Sequence, residues 1–494
     1  MNMQQRIFIV EPFVEEKHSK LPLDFIEYPT ERSWKCPNIE KQLHNLAMIS
    51  IRASQHSGLF LFGIDKKLRR FTFSWFSCPV ITAIVRLLIV SLMTIYYGTS
   101  KDAIEQHFAE DIEQQATLGM TETILSGTII SSDVIGMILF WRNREQVEDF
   151  LNRFLQSVVL FTEELKNPDW VSGWFNQASK RARWLVNGIN FSANISILIT
   201  MYQDVLKIIL VIVGKEQMSW GDLKVPIFTF FWFTILFRRL HCRIVLMSMI
   251  DTLQFGFLTV KEHVKELANE KIKTVGDVRI SNAFGRIGSS TREGKNGNVD
   301  NDITVIDYVR QVKLNKILEM YRGMESLLGE FNELYTCHML IGILSVLTVM
   351  LLALFHFFVK MNGEMDRDAL VFAIEAGLHI WVLNSLGTSA TDMATEAESC
   401  IIALRDVPLG TIDLELKRKI MLHFQQALAV PLVVAPGHFF SLNRKMLTSA
   451  KECASVLKKI PFEKASKNYE GLKTAIASAV TTYLLVLVQF QHDE

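Results

Sequence analysis

Cys337–Val359 reads CHMLIGILSVLTVMLLALFHFFV. It carries no Asp, Glu, Lys or Arg, and it is longer than the roughly 20 apolar residues a helix needs to cross a hydrocarbon layer. Outward from this stretch the chain repeats the pattern. Six further apolar runs are expected to span, at about 79–98, 121–141, 184–202, 226–240, 369–388 and 475–490. The run at 79–98 encloses Arg86, that at 121–141 encloses Asp133, and that at 369–388 encloses Glu375 and His379. The nine residues Leu206–Gly214 are too short to cross and read as interfacial. The expected fold class is all-α, a seven-transmembrane helix bundle.

Basic residues near span ends set orientation. Lys66, Lys67, Arg69 and Arg70 precede the first span, and Arg142 and Arg144 follow the second. Lys180, Arg181 and Arg183 precede the third, and Arg238, Arg239 and Arg243 cluster at the end of the fourth. Arg405, Lys417, Arg418, Lys419, Arg444 and Lys445 lie between the sixth and seventh. The alternate loops differ. Thr99–Met120 has Lys101 against Asp102, Glu105, Glu110, Asp111 and Glu113. Lys360–Asp368 also leans acidic, and Gln491–Glu494 has no basic residue. The pattern predicts an intracellular N-terminus, with residues 1–78 cytoplasmic, and an extracellular C-terminus. This is opposite to a G-protein-coupled receptor. The first 45 residues are polar and do not form a cleavable signal peptide.

Composition agrees with a membrane protein. Hydrophobic residues make up 49 % of the chain, and mean hydropathy is +0.21. A formal net charge of zero argues against nucleic acid as a partner. The six cysteines are scattered with no CxxC or Cys/His cluster, so no metal site or disulfide framework is expected. No nucleophile–base constellation stands out, so the chain is not read as an enzyme and no cofactor is implied. No internal repeat supports a transporter.

Between the fourth and fifth spans, about 244–268 and 313–335 read as helices around a polar linker, Gly288–Asn301. Cys400–Leu428 reads as an amphipathic helix broken at Pro408 and Gly410. These cytoplasmic extensions form either a lone solvated bundle or a platform between subunits.

The last run contains Thr482-Tyr483-Leu484-Leu485-Val486-Leu487-Val488-Gln489-Phe490. Ser478, Thr482, Leu485 and Gln489 fall on one helix face, and three of them are polar. A polar stripe in a membrane helix faces water in a pore or hydrogen-bonds to neighbouring helices. The pattern Thr-Tyr, five hydrophobic residues, Gln-Phe resembles the signature of insect gustatory receptors, relatives of insect odorant receptors. Phe439-Phe440-Ser441-Leu442-Asn443-Arg444 and Ala479-Val480-Thr481 resemble that family's lead-in. The resemblance implies a homo- or heterotetrameric, ligand-gated cation channel in the plasma membrane of a sensory neuron, with the cytoplasmic extensions as an anchor. Gln489 and Phe490 would form the outer gate, with Phe490 closing it by dewetting. Tyr483 would pack behind the pore. The chain departs from the family at Ala450–Thr474, a charged stretch between the Asn-Arg lead-in and the last span. It reads as misjoined coding sequence or as a cytoplasmic insertion. Without it, Lys445–Ser449 would run directly into Ala475–Phe490. That last run is only about 24 Å long as a helix.

The resemblance places the tastant pocket among the second to sixth spans, open to the outside. Glu122, Tyr202, Trp232, His356, Glu375, His379 and Trp381 are candidates, since aromatic walls with a few directed polar groups suit small polar ligands. Glu375 and His379, one turn apart, either serve function or pair with each other or with headgroups. Arg86 and Asp133, in the first and second spans, read as structural and could pair. Leu484, where sugar-sensing members often carry an acid, points away from that clade.

Overall fold

The structure, a computed structural model, describes residues 37–56, 60–65, 70–108, 127, 130–163, 165, 169–212, 230, 239–269, 299–361, 367–405, 407, 414–436 and 442. All of these except Pro37 fall within one compact unit, Asn38–Glu494. Helix α1 is Pro37–His56. A short antiparallel pair follows, β1 (Gly63–Asp65) and β2 (Arg70–Thr72), with Ile64 opposite Phe71. Then come α2 (Cys78–Phe108), α3 (130–142), α4 (Arg144–Glu163) and α5 (Asp169–Ile212). Helices α6 (His241–Asn269), α7 (Val299–Met361), α8 (Arg367–Arg405) and α9 (Leu414–Ala429) complete the described elements.

Four described helices are long and apolar enough to cross a membrane: Trp170–Tyr202, His241–Ala268, Val309–Met350 and Leu370–Arg405. A shorter apolar helix runs over Cys78–Leu92. The expected spans at 79–98, 184–202, 337–359 and 369–388 therefore each lie inside a helix. Only the end of the second span is described, in α3. Phe230, Arg239 and Leu240 are the described residues of the fourth, and the seventh span, with Ala450–Thr474, lies outside the described residues.

The helices overrun the bilayer. At 1.5 Å per residue the 44 residues of α5 and the 63 residues of α7 make rods of about 66 and 95 Å, against roughly 40–45 Å for a bilayer with headgroups. Leu206–Gly214, expected as a separate interfacial stretch, instead continues α5 as far as Ile212. Helix α8 ends at Arg405 and α9 begins at Leu414, so Cys400–Leu428 takes in the end of one helix and most of another; Pro408 and Gly410 lie outside the described residues.

The apolar faces are divided between lipid and core. On α2, Ile81, Ile84, Val85, Leu88, Leu92 and Ile95 are exposed along one helical stripe, while Val80, Ala83, Arg86 and Val90 are buried. In water such a stripe would demand a partner, whereas in a bilayer lipid tails cover it. On α5, Trp184 and Tyr202 are 64 % and 62 % exposed, about 27 Å apart along the axis. That spacing matches the two interfaces where amphipathic aromatics anchor a span. By contrast, the apolar part of α6 is largely buried within the protein. It packs most extensively on α8, then on α7, and also on α4 and α5.

Close approach is built in at Gly188 on α5. A Cβ there would lie 2.3 Å from Trp381 Cζ3 and 2.5 Å from Cη2 on α8. Gly188→Val should therefore lower stability by roughly 1–3 kcal/mol, as overpacking of a helix contact does. Thermal melting of the detergent-solubilised protein checks this, and Trp381→Leu in the same chain should recover part of the loss.

Ion pairs join the projecting ends. Arg153 on α4 holds Glu330 on α7 with both guanidinium arms, at 3.2 and 2.9 Å. Lys261 on α6 meets Glu396 on α8 at 2.8 Å, and Arg181 on α5 pairs with the buried Asp251 on α6. Asn332 on α7 donates to the Val433 carbonyl at 3.0 Å and accepts from the Ala435 amide at 3.1 Å, pinning the strand-like exit from α9. Helix α9 itself packs His423 edge-on against Tyr321, with ring centroids 5.2 Å apart. Burial first, then the charge of Arg322, hold the His423 imidazole below its ordinary value of 6.5. The folded state thus favours the neutral ring. Its contribution is full above about pH 6.5 and is lost as pH falls through the lower folded value. Melting temperature should drop between pH 7.5 and 5.5, and His423→Leu should flatten that drop.

Candidate functional site

The spans at membrane depth are held by charge. Arg86 on α2 forms a buried ion pair with Asp133 on α3. One residue earlier, Ser132 accepts from Ser345 on α7 at 3.2 Å. Ser345 in turn accepts from Arg239 Nη1 at 2.9 Å, and Arg239 Nη2 lies 3.2 Å from His379 Nε2 on α8. His379 Nδ1 lies 2.8 Å from the Glu375 carbonyl oxygen one turn back. A guanidinium can only donate and a carbonyl can only accept. Both contacts are satisfied together by one form of the ring: neutral, with the proton on Nδ1 and the lone pair of Nε2 turned to Arg239.

Glu375 and His379 are each at most 1 % exposed, so neither reaches the headgroups. Their side chains do not pair with each other. The histidine instead uses the glutamate's backbone and gives its other nitrogen to Arg239. In the sequence Arg239 reads as part of the basic flank at the end of the fourth span. A positive residue at the end of an apolar run reads as an interface anchor, and only the packing of α7 and α8 around it reveals a buried cross-link. Arg243, one turn on, lies over Gly342 of α7, where a Cβ would fall 2.0 Å from its guanidinium carbon. It donates to the His338 carbonyl at 3.4 Å, and His338 Nε2 in turn meets the Gly136 carbonyl at 3.1 Å. Ser132, Ser345, Arg243 and His338 carry no distinguishing signal in the sequence.

Three guanidinium groups, Arg86, Arg239 and Arg243, therefore gather around Asp133, and Arg239 also feels the charge of Glu375. A cavity of about 50 Å³ adjoins them, lined by Asp133, Arg239, Arg243, His338, Phe140 and Tyr335 among others. It is far smaller than the roughly 300–1,000 Å³ of a small-molecule site. The arrangement links α2, α3, α7 and α8 through consecutive side-chain contacts.

The other candidates are dispersed. Trp381 packs on α5 at Gly188, and Tyr202 is exposed on the far end of α5. Glu122 and Trp232 lie outside the described residues, as does the side chain of His356. So do Ser478, Thr482, Tyr483, Leu485, Gln489 and Phe490.

The profile of the 7tm chemosensory receptor family matches residues 49–450 of the chain. The chain belongs to this family. The match spans every described membrane helix of the receptor and stops where the charged stretch Ala450–Thr474 begins. Among solved structures, the receptor is similar to the insect olfactory receptor OR5 from Machilis hrabei in complex with eugenol. They share 11 % identity over 91 % of this chain and 98 % of that one, with a TM-score of 0.53. A second structure of the same olfactory receptor covers the same shares at 11 % identity and a TM-score of 0.49. At this identity the likeness establishes a shared helical fold. No match was found among curated proteins. The receptor is thus a multi-pass membrane chemoreceptor.

Proposed function

We propose that the receptor is a gustatory receptor, a ligand-gated, non-selective cation channel for small-molecule tastants in the plasma membrane of a sensory neuron. The observation that carries this is the ending Thr482-Tyr483…Gln489-Phe490, in which Ser478, Thr482, Leu485 and Gln489 share a face of the last apolar run. Four copies, identical or mixed with other gustatory subunits, would surround one pore within the lipid. Phe490 closes it, Gln489 enters the lumen on opening, and Tyr483 packs behind. The tastant enters from outside among the second to sixth spans, where Glu122, Tyr202, Trp232, His356, Glu375, His379 and Trp381 are the candidate contacts. A tastant that displaces α8 pulls on the Arg239–His379 link and hence on the whole charged unit. The likeness to an insect olfactory receptor favours a second reading, an odorant-receptor-like subunit, which the Gln-Phe ending argues against. A receptor coupled to a G protein would need the opposite charge pattern.

The test is whole-cell recording in cells free of other insect proteins, with panels of tastants and of volatile odorants. Tastants should evoke cation current, and Gln489→Ala should change its gating or permeation. Current unchanged by Gln489→Ala would remove that residue from the pore, and responses confined to volatiles would favour the second reading.

A further inference from the structure

A groove of about 550 Å³ lies between α1 and the start of the membrane-crossing part of α5. Its volume falls within the range of ligand sites, most of its lining side chains carry polar groups, and it shares no lining residue with the charged unit described above. On α5 the lining side chains Asn176, Lys180, Arg183 and Asn187 are spaced four, three and four residues apart and stand on one helix face. Across the groove α1 presents Gln42 and Asn45, also one turn apart. The neighbouring basic residue, Arg181, turns the other way and is committed to Asp251. Lys180 and Arg183 are exposed and have no carboxylate partner among the described residues. Two uncompensated cations among four side-chain amides make a donor-rich cradle for an anion with several oxygens.

The depth of the groove is fixed by Trp184, which lines it and is largely exposed. Trp184 and Tyr202 mark the two interfaces of the span, so Lys180 and Arg183 lie at headgroup level, on the side that the basic loops assign to the cytoplasm. Basic pockets between helices at this level suit phosphorylated headgroups.

We propose that this groove binds a phosphomonoester-bearing anion, the headgroup of a polyphosphoinositide or a soluble inositol phosphate. Arg183 grips phosphate oxygens with its fork, Lys180 neutralises a second phosphate, and the asparagines donate to the ring hydroxyls and bridging oxygens.

Native mass spectrometry of the full chain in detergent, titrated with phosphatidylinositol bisphosphate or with inositol trisphosphate, tests this. Lys180→Gln/Arg183→Gln should weaken binding roughly 30-fold. Lys180→Arg/Arg183→Lys should retain it. Arg418→Gln/Lys419→Gln removes the same charge from α9 and should leave it unchanged. Asn176→Asp, an exposed substitution that adds a negative charge to the stripe, should weaken binding without burdening the fold. Binding of both probes would mark the phosphate group itself as the ligand, and binding of the lipid alone would mark a membrane headgroup. Equal binding by the native chain, the neutralised variant and Asn176→Asp, or an equal loss in the α9 variant, would overturn the proposal.

Discussion

Asp133→Asn should all but abolish folded receptor at the cell surface. Arg86 is paired with Asp133 in a site where both side chains are 7 % exposed. Arg239 and Arg243 also lie within its field. Removing this carboxylate leaves Arg86 without its partner and takes away the carboxylate charge that acts on Arg243, while Arg239 keeps only Glu375. Breaking one buried pair typically costs about 3–5 kcal/mol, against a total stability of about 5–15 kcal/mol. A second unbalanced arginine adds to that cost. The prediction has an internal control. Arg86→Met/Asp133→Leu removes one charge of each sign and replaces the pair with apolar groups. It should restore much of the surface level that Asp133→Asn loses, because apolar replacement of a buried pair is often close to neutral. Surface biotinylation and thermal melting of the three variants measure this. Equal loss in the single and double variants would mean that packing, not charge balance, sets the effect.

The second large effect belongs to Arg239→Met. This arginine donates to Ser345 on α7 and to His379 on α8, and it offsets the charge of Glu375. Methionine keeps the volume but strands two buried acceptors and an uncompensated carboxylate. A loss of about 3 kcal/mol or more in stability follows. Lysine at the same position preserves the charge but has no planar fork to span Ser345 and His379 at once, so Arg239→Lys should fall between native and Arg239→Met. If tastant-driven motion of α8 passes through this residue, Arg239→Lys should reach the surface yet show a right-shifted dose response. Melting temperature combined with whole-cell recording separates the two effects.

Much of this architecture was legible in the sequence, and the reasons for what was not are physical. A run such as Cys337–Val359 announces itself because hydrocarbon excludes charge over a fixed length. The continuation of α7 back to Val299 does not, since a helix that leaves the membrane changes its solvent but not its backbone. The same holds for the extension of α5 to Ile212. Arg86 and Asp133 were readable as possible partners because each interrupts an apolar run with a charge of opposite sign. Arg239 was misplaced because it sits at the end of one. Gly188 and Trp381 meet across a long stretch of chain, and nothing local to either forecasts that contact. Of the ligand candidates, Glu375 and His379 join the buried network. The pore face of the last span stands on the helical spacing of its polar residues.

The central claim, in its homotetrameric form, is that copies of this chain line the conducting path. The purified protein, reconstituted as the only protein in a planar bilayer and exposed to tastants, tests it. The account predicts discrete cation currents that open with tastant, and a raised resting current in Phe490→Ala, where the hydrophobic constriction is lost. A bilayer that stays silent with both proteins, while the same preparations bind a tastant, would contradict it.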